Sequence, residues 1–175
     1  MEHKSDQNIS ARAARIKLLL MDCDGVLTDG RLYFGPTGEE LKVFHARDGQ
    51  GIVNWHKAGF RSGIISGRNS PIVAMRAEQL GIEFIWQGHK EKIPALREII
   101  EVTGVAAEEI AFIGDDTPDA EVMSLVGLAV AVGDALNEVK AAAHYVTTQK
   151  GGYGAVRELI DLMLSHKLSV SLPDQ

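Results

Sequence analysis

The sequence predicts a doubly wound α/β domain, a mostly parallel sheet with helices on both faces. Three observations predict it. Short apolar runs of strand length alternate with longer amphipathic segments along the chain, the pattern of successive βαβ units. The first run, Ile16 to Met21, is apolar apart from Lys17 and unbroken over Leu18-Leu19-Leu20-Met21 rather than alternating, as a strand buried on both faces must be. Polar clusters follow four of the runs at once: Asp22-Cys23-Asp24, Ser66-Gly67-Arg68, Trp86-Gln87-Gly88 with Lys92 beyond it, and Gly114-Asp115-Asp116. The carboxyl ends of parallel strands are where such sheets bind ligands. At 175 residues and 45% hydrophobic, the chain has enough apolar content for one core.

In chain order, residues 1–10 are polar and read as a flexible tail, and 11–15 as a short turn before the first strand. Residues 31–34 and 41–44 are β-prone runs around Gly35-Pro36-Thr37-Gly38-Glu39, hence a hairpin. A helix is expected over 52–58, with Asp48 as its N-cap and Gly59 as its stop. Strands are expected over 61–66, 82–86, 110–113, 128–132 and 144–147. Helices fall between them over 71–80, 91–103, 118–126 and 137–143, and a last helix runs over 155–165. Pro71 suits a first turn, and Gly81 and Gly104 suit helix ends. Residues 167–175 form a C-terminal tail without a clear state, leaving 11–166 as a single domain.

Composition excludes several classes. A net charge of −6 argues against nucleic-acid binding. No apolar run approaches the ~20 residues of a membrane span, and the N-terminus lacks the apolar core of a signal peptide. Cys23 is the single cysteine, so no internal disulfide forms, in keeping with a reducing, cytoplasmic setting. It points away from its two Asp neighbours and reads as a small buried hydrophobe.

Asp22 and Asp24 are two apart on or just beyond a strand and project to one side. Two carboxylates there repel, and a hard divalent cation such as Mg²⁺ relieves the repulsion. With the ion present, Asp22 can attack phosphorus, and Asp24 can pass a proton to the leaving oxygen and take one from water. Taken alone, the pair reads equally well as an acidic turn, Ser66-Gly67 as a plain turn, and Lys92 as a helix-surface lysine with Lys90 as its rival.

Together these clusters resemble, in order, the four motifs of the haloacid dehalogenase-like phosphatases. Asp22-Cys23-Asp24-Gly25-Val26-Leu27-Thr28-Asp29 is similar to the first motif and Ser66 to the second; Lys92 is similar to the third, and Gly114-Asp115-Asp116-Thr117-Pro118-Asp119 to the fourth. The resemblance implies Asp22 as nucleophile, Asp24 as acid and base, and Ser66 and Lys92 as phosphate ligands. It implies Mg²⁺ held by Asp22, the Asp24 carbonyl and Asp115. Asp116 would stand behind these ligands or reach the ion through water. Asp119 would stand behind them too, or simply cap the following helix. The family often has Asn-Asp where this chain has Pro118-Asp119.

Neither long gap between motifs holds a lid domain. That absence, with Lys42-Val43-Phe44-His45-Ala46-Arg47-Asp48-Gly49 and Gly151-Gly152-Tyr153-Gly154-Ala155-Val156-Arg157-Glu158, resembles the capless, tetrameric subgroup that acts on 3-deoxy-D-manno-octulosonate 8-phosphate (KDO 8-phosphate). This implies a small sugar-acid phosphate as substrate, bound by Asp24, His45, Ala46, Arg47, Asp48, Gly49, Gly67, Arg68, Arg76 and Lys92. It also implies a homotetramer in which the hairpin over 31–44 covers a neighbour's site. Val53 stands where the subgroup often carries a basic residue. Other readings are a phosphatase of a nine-carbon ulosonate phosphate, a phospho-accepting receiver-like signalling domain, and an inactive interaction module.

Overall fold

The structure, a computed structural model, describes residues 2–170. Six strands form one parallel sheet: β1 (Leu18–Met21), β4 (Arg61–Ser66), β5 (Phe84–Gln87), β6 (Ile110–Gly114), β7 (Leu128–Ala131) and β8 (Tyr145–Val146). Their order is β5-β4-β1-β6-β7-β8. The chain thus works outward from β1 to one side, then returns to build the other. β1 is fully buried because helices cover both faces. Gly63 in β4 sits against Phe84 and Leu20, where an added Cβ would lie 2.8 and 2.9 Å from their side-chain atoms.

The helices are α1 (Glu2–Arg15), α2 (Ala46–Lys57), α3 (Pro71–Leu80), α4 (Lys92–Thr103), α5 (Thr117–Met123), α6 (Asn137–Ala142) and α7 (Ala155–Val170). Gly81 and Gly104 close α3 and α4 in the left-handed conformation, with φ of 69° and 67°. The hairpin strands β2 (Tyr33–Gly35) and β3 (Gly38–Leu41) form a separate two-stranded sheet. Pairing runs closer to the turn than the sequence predicts, through Gly35 opposite Gly38, with a register shift at Tyr33 and Phe34.

Three expectations are corrected. In place of a flexible tail over 1–10 and a turn over 11–15, residues 2–15 form α1. Ala13 is buried, the Arg12 guanidinium donates to the Gly127 carbonyl at 2.6 Å, and Lys167 of α7 donates to the Ala14 carbonyl at 3.0 Å. α7 runs past Ser165 to Val170 in place of a tail beginning at 167, while residues 171–175 lie outside the described residues. α2 begins six residues before the expected Ile52, and its N-cap is His45, not Asp48.

Candidate active site

Met21, the last residue of β1, pairs with Ile64 of β4 on one side and Ile113 of β6 on the other. The three strands therefore end within two residues of one another, and the residues at and just beyond their ends meet where strand order reverses. Asp22, Asp24, Ser66, Gly67, Arg68, Lys92, Asp115, Asp116 and Asp119 line one cleft of about 420 Å³ there, with Lys90 and Pro118 on its wall.

The centre of the cleft is a charge cluster. Lys92, first residue of α4, places Nζ 2.7 Å from Asp22 Oδ1 and 2.6 Å from Asp119 Oδ1. Burial opposes the charge on Lys92, but the two carboxylates outweigh it and raise its pKa. Lys90 is exposed at the cleft edge. Asp119 Oδ2 accepts from the backbone N–H groups of Asp115 and Asp116 at 2.9 and 3.2 Å. Asp116 caps α5 by accepting from the Thr117 N–H at 2.7 Å, and Asp119 completes a capping box with it. Asp119 is thus both a helix cap and the residue that orients Lys92.

Asp115 has a different environment. Its Oδ1 is buried and has no hydrogen-bond partner among the described residues, a costly state for a carboxylate oxygen. The carboxylate lies over Gly25, whose φ is +91° and where an added Cβ would come 2.1 Å from Oδ2. Only a glycine can stand beneath it. Burial, with Asp22, Asp119 and Asp116 nearby, pushes Asp115 up to about 8; burial and Asp119 push Asp22 up to about 6 against the pull of Lys92. Ligand oxygens of Asp22, Asp115 and Asp119 fall within 4.8 Å of one another. Since Asp119 is already committed to Lys92 and two amides, the pair left for a cation is Asp22 and Asp115. The orphaned oxygen and the all-oxygen donor set fit a hard divalent ion.

Ser66 is buried at the end of β4, and its Oγ accepts from the Arg68 N–H at 3.3 Å, which leaves the hydroxyl hydrogen free to donate. Behind the loop after β1, Gly151 and Gly152 press close: a Cβ on Gly151 would lie 1.6 Å from the Gly25 carbonyl oxygen, and the Gly152 N–H donates to the Val26 carbonyl at 2.9 Å. The GGYG segment therefore braces the loop that carries Asp24 and Gly25.

A haloacid dehalogenase-like hydrolase family model matches residues 64–160. The chain is also 46% identical over 157 residues, 90% of its length and 84% of the relative's, to the 3-deoxy-D-manno-octulosonate 8-phosphate phosphatase KdsC of Yersinia pestis. The chain belongs to the haloacid dehalogenase-like hydrolases. Among solved structures of the family, the Moraxella catarrhalis 3-deoxy-D-manno-octulosonate 8-phosphate phosphatase, in complex with magnesium ion, phosphate ion and KDO, is 37% identical with a TM-score of 0.90; the match covers 93% of this chain and 94% of that one. A HAD superfamily hydrolase from Legionella pneumophila is 39% identical with a TM-score of 0.93, covering 95% and 92%.

Not every residue named from the sequence reaches the cleft of this HAD-like hydrolase. His45, Ala46, Arg47, Asp48, Gly49 and Arg76 do not line it. Asp48, expected to touch substrate, is buried and turned inward. Its Oδ2 accepts from the Gly154 N–H at 3.1 Å and its Oδ1 from the Arg157 N–H at 2.8 Å, so it caps α7. Gly49 makes room for Arg76, whose Nη2 would lie 2.5 Å from an added Cβ. The Arg76 guanidinium stands 5.8 Å from the Phe44 ring centre, in a groove shared with Lys42 and Ala46. One residue not singled out from the sequence is added: Lys42 forms an ion pair with Asp24 Oδ1. Its place just after the second hairpin strand carries no local signal for that partner, 18 positions away.

Proposed function

We propose that the chain is a Mg²⁺-dependent phosphatase that hydrolyses KDO 8-phosphate to KDO and inorganic phosphate, a step in lipopolysaccharide precursor synthesis, in the cytoplasm. The observation that carries the reading is the pairing of Asp22, held by Lys92, with the unpartnered Asp115 oxygen in one cleft. The extent of identity to the Yersinia pestis enzyme supports the choice of substrate.

Asp22, Asp115 and the Asp24 backbone carbonyl would hold the ion, which when bound neutralises charge on the phosphoryl oxygens. Lys92 and Ser66 bind those oxygens from the other side. Lys92 secures Asp22 Oδ1, leaving its second oxygen to attack phosphorus. As that bond forms, the phosphorus bond to the sugar oxygen breaks and Asp24 gives the oxygen its proton. Water then attacks phosphorus, yields a proton back to Asp24, and frees Asp22. Arg68, which lines the cleft, would meet a further anionic group of the substrate, since its fork suits a carboxylate. Arg47 and Arg76 would contribute only from outside the cleft.

The active assembly is a homotetramer closed by the hairpin. Phe34, Leu41 and Val43 are 61%, 51% and 53% exposed, more apolar surface than one small hairpin carries alone in water. The Arg68 guanidinium lies 5.9 Å from the Phe34 ring centre, so the hairpin already borders the cleft. Phosphate release from a panel of sugar phosphates with Mg²⁺ tests the reading. Turnover of KDO 8-phosphate supports it, turnover of a nine-carbon ulosonate phosphate alone replaces the substrate, and a single stable phosphorylation without turnover replaces the class.

A further inference from the structure

Lys42 lies outside the four motifs. It follows Leu41, the last residue of β3, and precedes α2. Its side chain is 1% exposed, an expensive place for an ammonium unless it is well paired. It meets Asp24 at Oδ1. Arg68 Nε stands 3.8 Å from Asp24 Oδ2, outside hydrogen-bond reach. One oxygen of Asp24, a residue that lines the cleft, is therefore gripped, while the other is hydrogen-bonded to neither Lys42 nor Arg68. Lys42 also lines a groove with Phe44, Ala46 and Met75, and it is the first residue after β3.

We propose that Lys42 is a positioning residue for Asp24: it clamps Oδ1 so that Oδ2 exchanges the proton with the sugar oxygen and with water. The inference rests on the phosphatase reading above. The chemistry is unchanged by it. The proton on Oδ2 goes to the sugar oxygen as its bond to phosphorus breaks and the Asp22 bond forms, and the attacking water returns a proton to Oδ2.

The test compares two esters on one protein sample. A sugar alkoxide leaves poorly and needs a proton, whereas nitrophenolate leaves without one. The value of kcat/KM reports transfer onto Asp22 for both. In full-length protein with Mg²⁺, Lys42→Met is expected to lose on the order of a hundredfold in kcat/KM on KDO 8-phosphate and less than about threefold on 4-nitrophenyl phosphate. Lys42→Arg is expected to recover part of the first loss. A partly unfolded sample scales both values alike, so their ratio is unaffected. An equal loss on both esters, or a loss carried by KM alone, overturns the proposal. If Lys42→Met does not accumulate as folded protein, the ratio for Lys42→Arg decides, with a selective loss on the sugar ester supporting the proposal and an equal loss overturning it. Wild-type protein inert on both esters would remove the phosphatase reading and this inference together; an active wild type with equal losses removes this inference alone.

Discussion

Asp119 holds Lys92 in place: its Oδ1 accepts from Lys92 Nζ at 2.6 Å, with both side chains buried. The other oxygen of Asp119 serves the amides of Asp115 and Asp116. One carboxylate thus fixes both the cation and the loop of the neighbouring acid. Asp119→Ala removes all three bonds, leaves the part-buried amides of Asp115 and Asp116 without this acceptor, and leaves Lys92 with Asp22 alone of the two carboxylates. It is expected to cost about 2 kcal/mol or more in urea unfolding and to cut kcat at least about tenfold. Unfolding and turnover both indistinguishable from wild type would contradict this role.

Asp22→Asn removes the nucleophile while keeping the side chain's size. Turnover is expected to vanish with the fold retained, read by phosphate release and circular dichroism on the same sample. Steady phosphate release from the purified variant would contradict a covalent route.

The acid cluster also predicts a pH dependence. Burial first, then neighbouring carboxylates, place Asp22 at about 6 and Asp115 at about 8. Unfolded, both ionise near ~4. The metal-free folded chain therefore keeps protons that the unfolded chain has shed, and its stability falls as pH rises from about 4 toward about 8. The Tm of metal-free protein is expected to fall more steeply over that range than the Tm of Asp115→Asn. Mg²⁺ is expected to raise Tm more at the alkaline end than at the acid end. Parallel wild-type and variant profiles would contradict the assignment.

Much of this site was legible in the sequence because its parts are local. Asp22 and Asp24 adjoin a run that could only be a buried strand, and the same holds for Ser66 and Asp115. Parallel pairing then brings the strand ends together without further information. What was not legible depends on contacts distant in sequence. Asp48 looked like the cap of its own helix, yet the amides it serves lie 106 and 109 positions on. Lys42 gave no sign of its partner until the hairpin was folded. α1 has few apolar residues, and it sits where α7 and the Gly127 carbonyl receive it, so its docking is a property of the whole domain and not of the segment.

The exposed hairpin makes a prediction about assembly. Phe34→Glu and Val43→Glu place charge on the surface proposed to join neighbours. Light scattering is expected to show a tetramer for the wild type and its loss in the variants, with activity falling in step. Dissociation with undiminished activity would show that the neighbour does not cover the site.

The central claim is a Mg²⁺-dependent phosphatase that recognises a sugar acid as well as a phosphate. The most direct measurement is steady-state phosphate release from KDO 8-phosphate and from glucose 6-phosphate, with Mg²⁺ and after exhaustive chelation. The expected result is turnover only with the ion, and kcat/KM at least about a hundredfold higher for KDO 8-phosphate. Full activity after chelation, or equal efficiency on the two sugars, would contradict it.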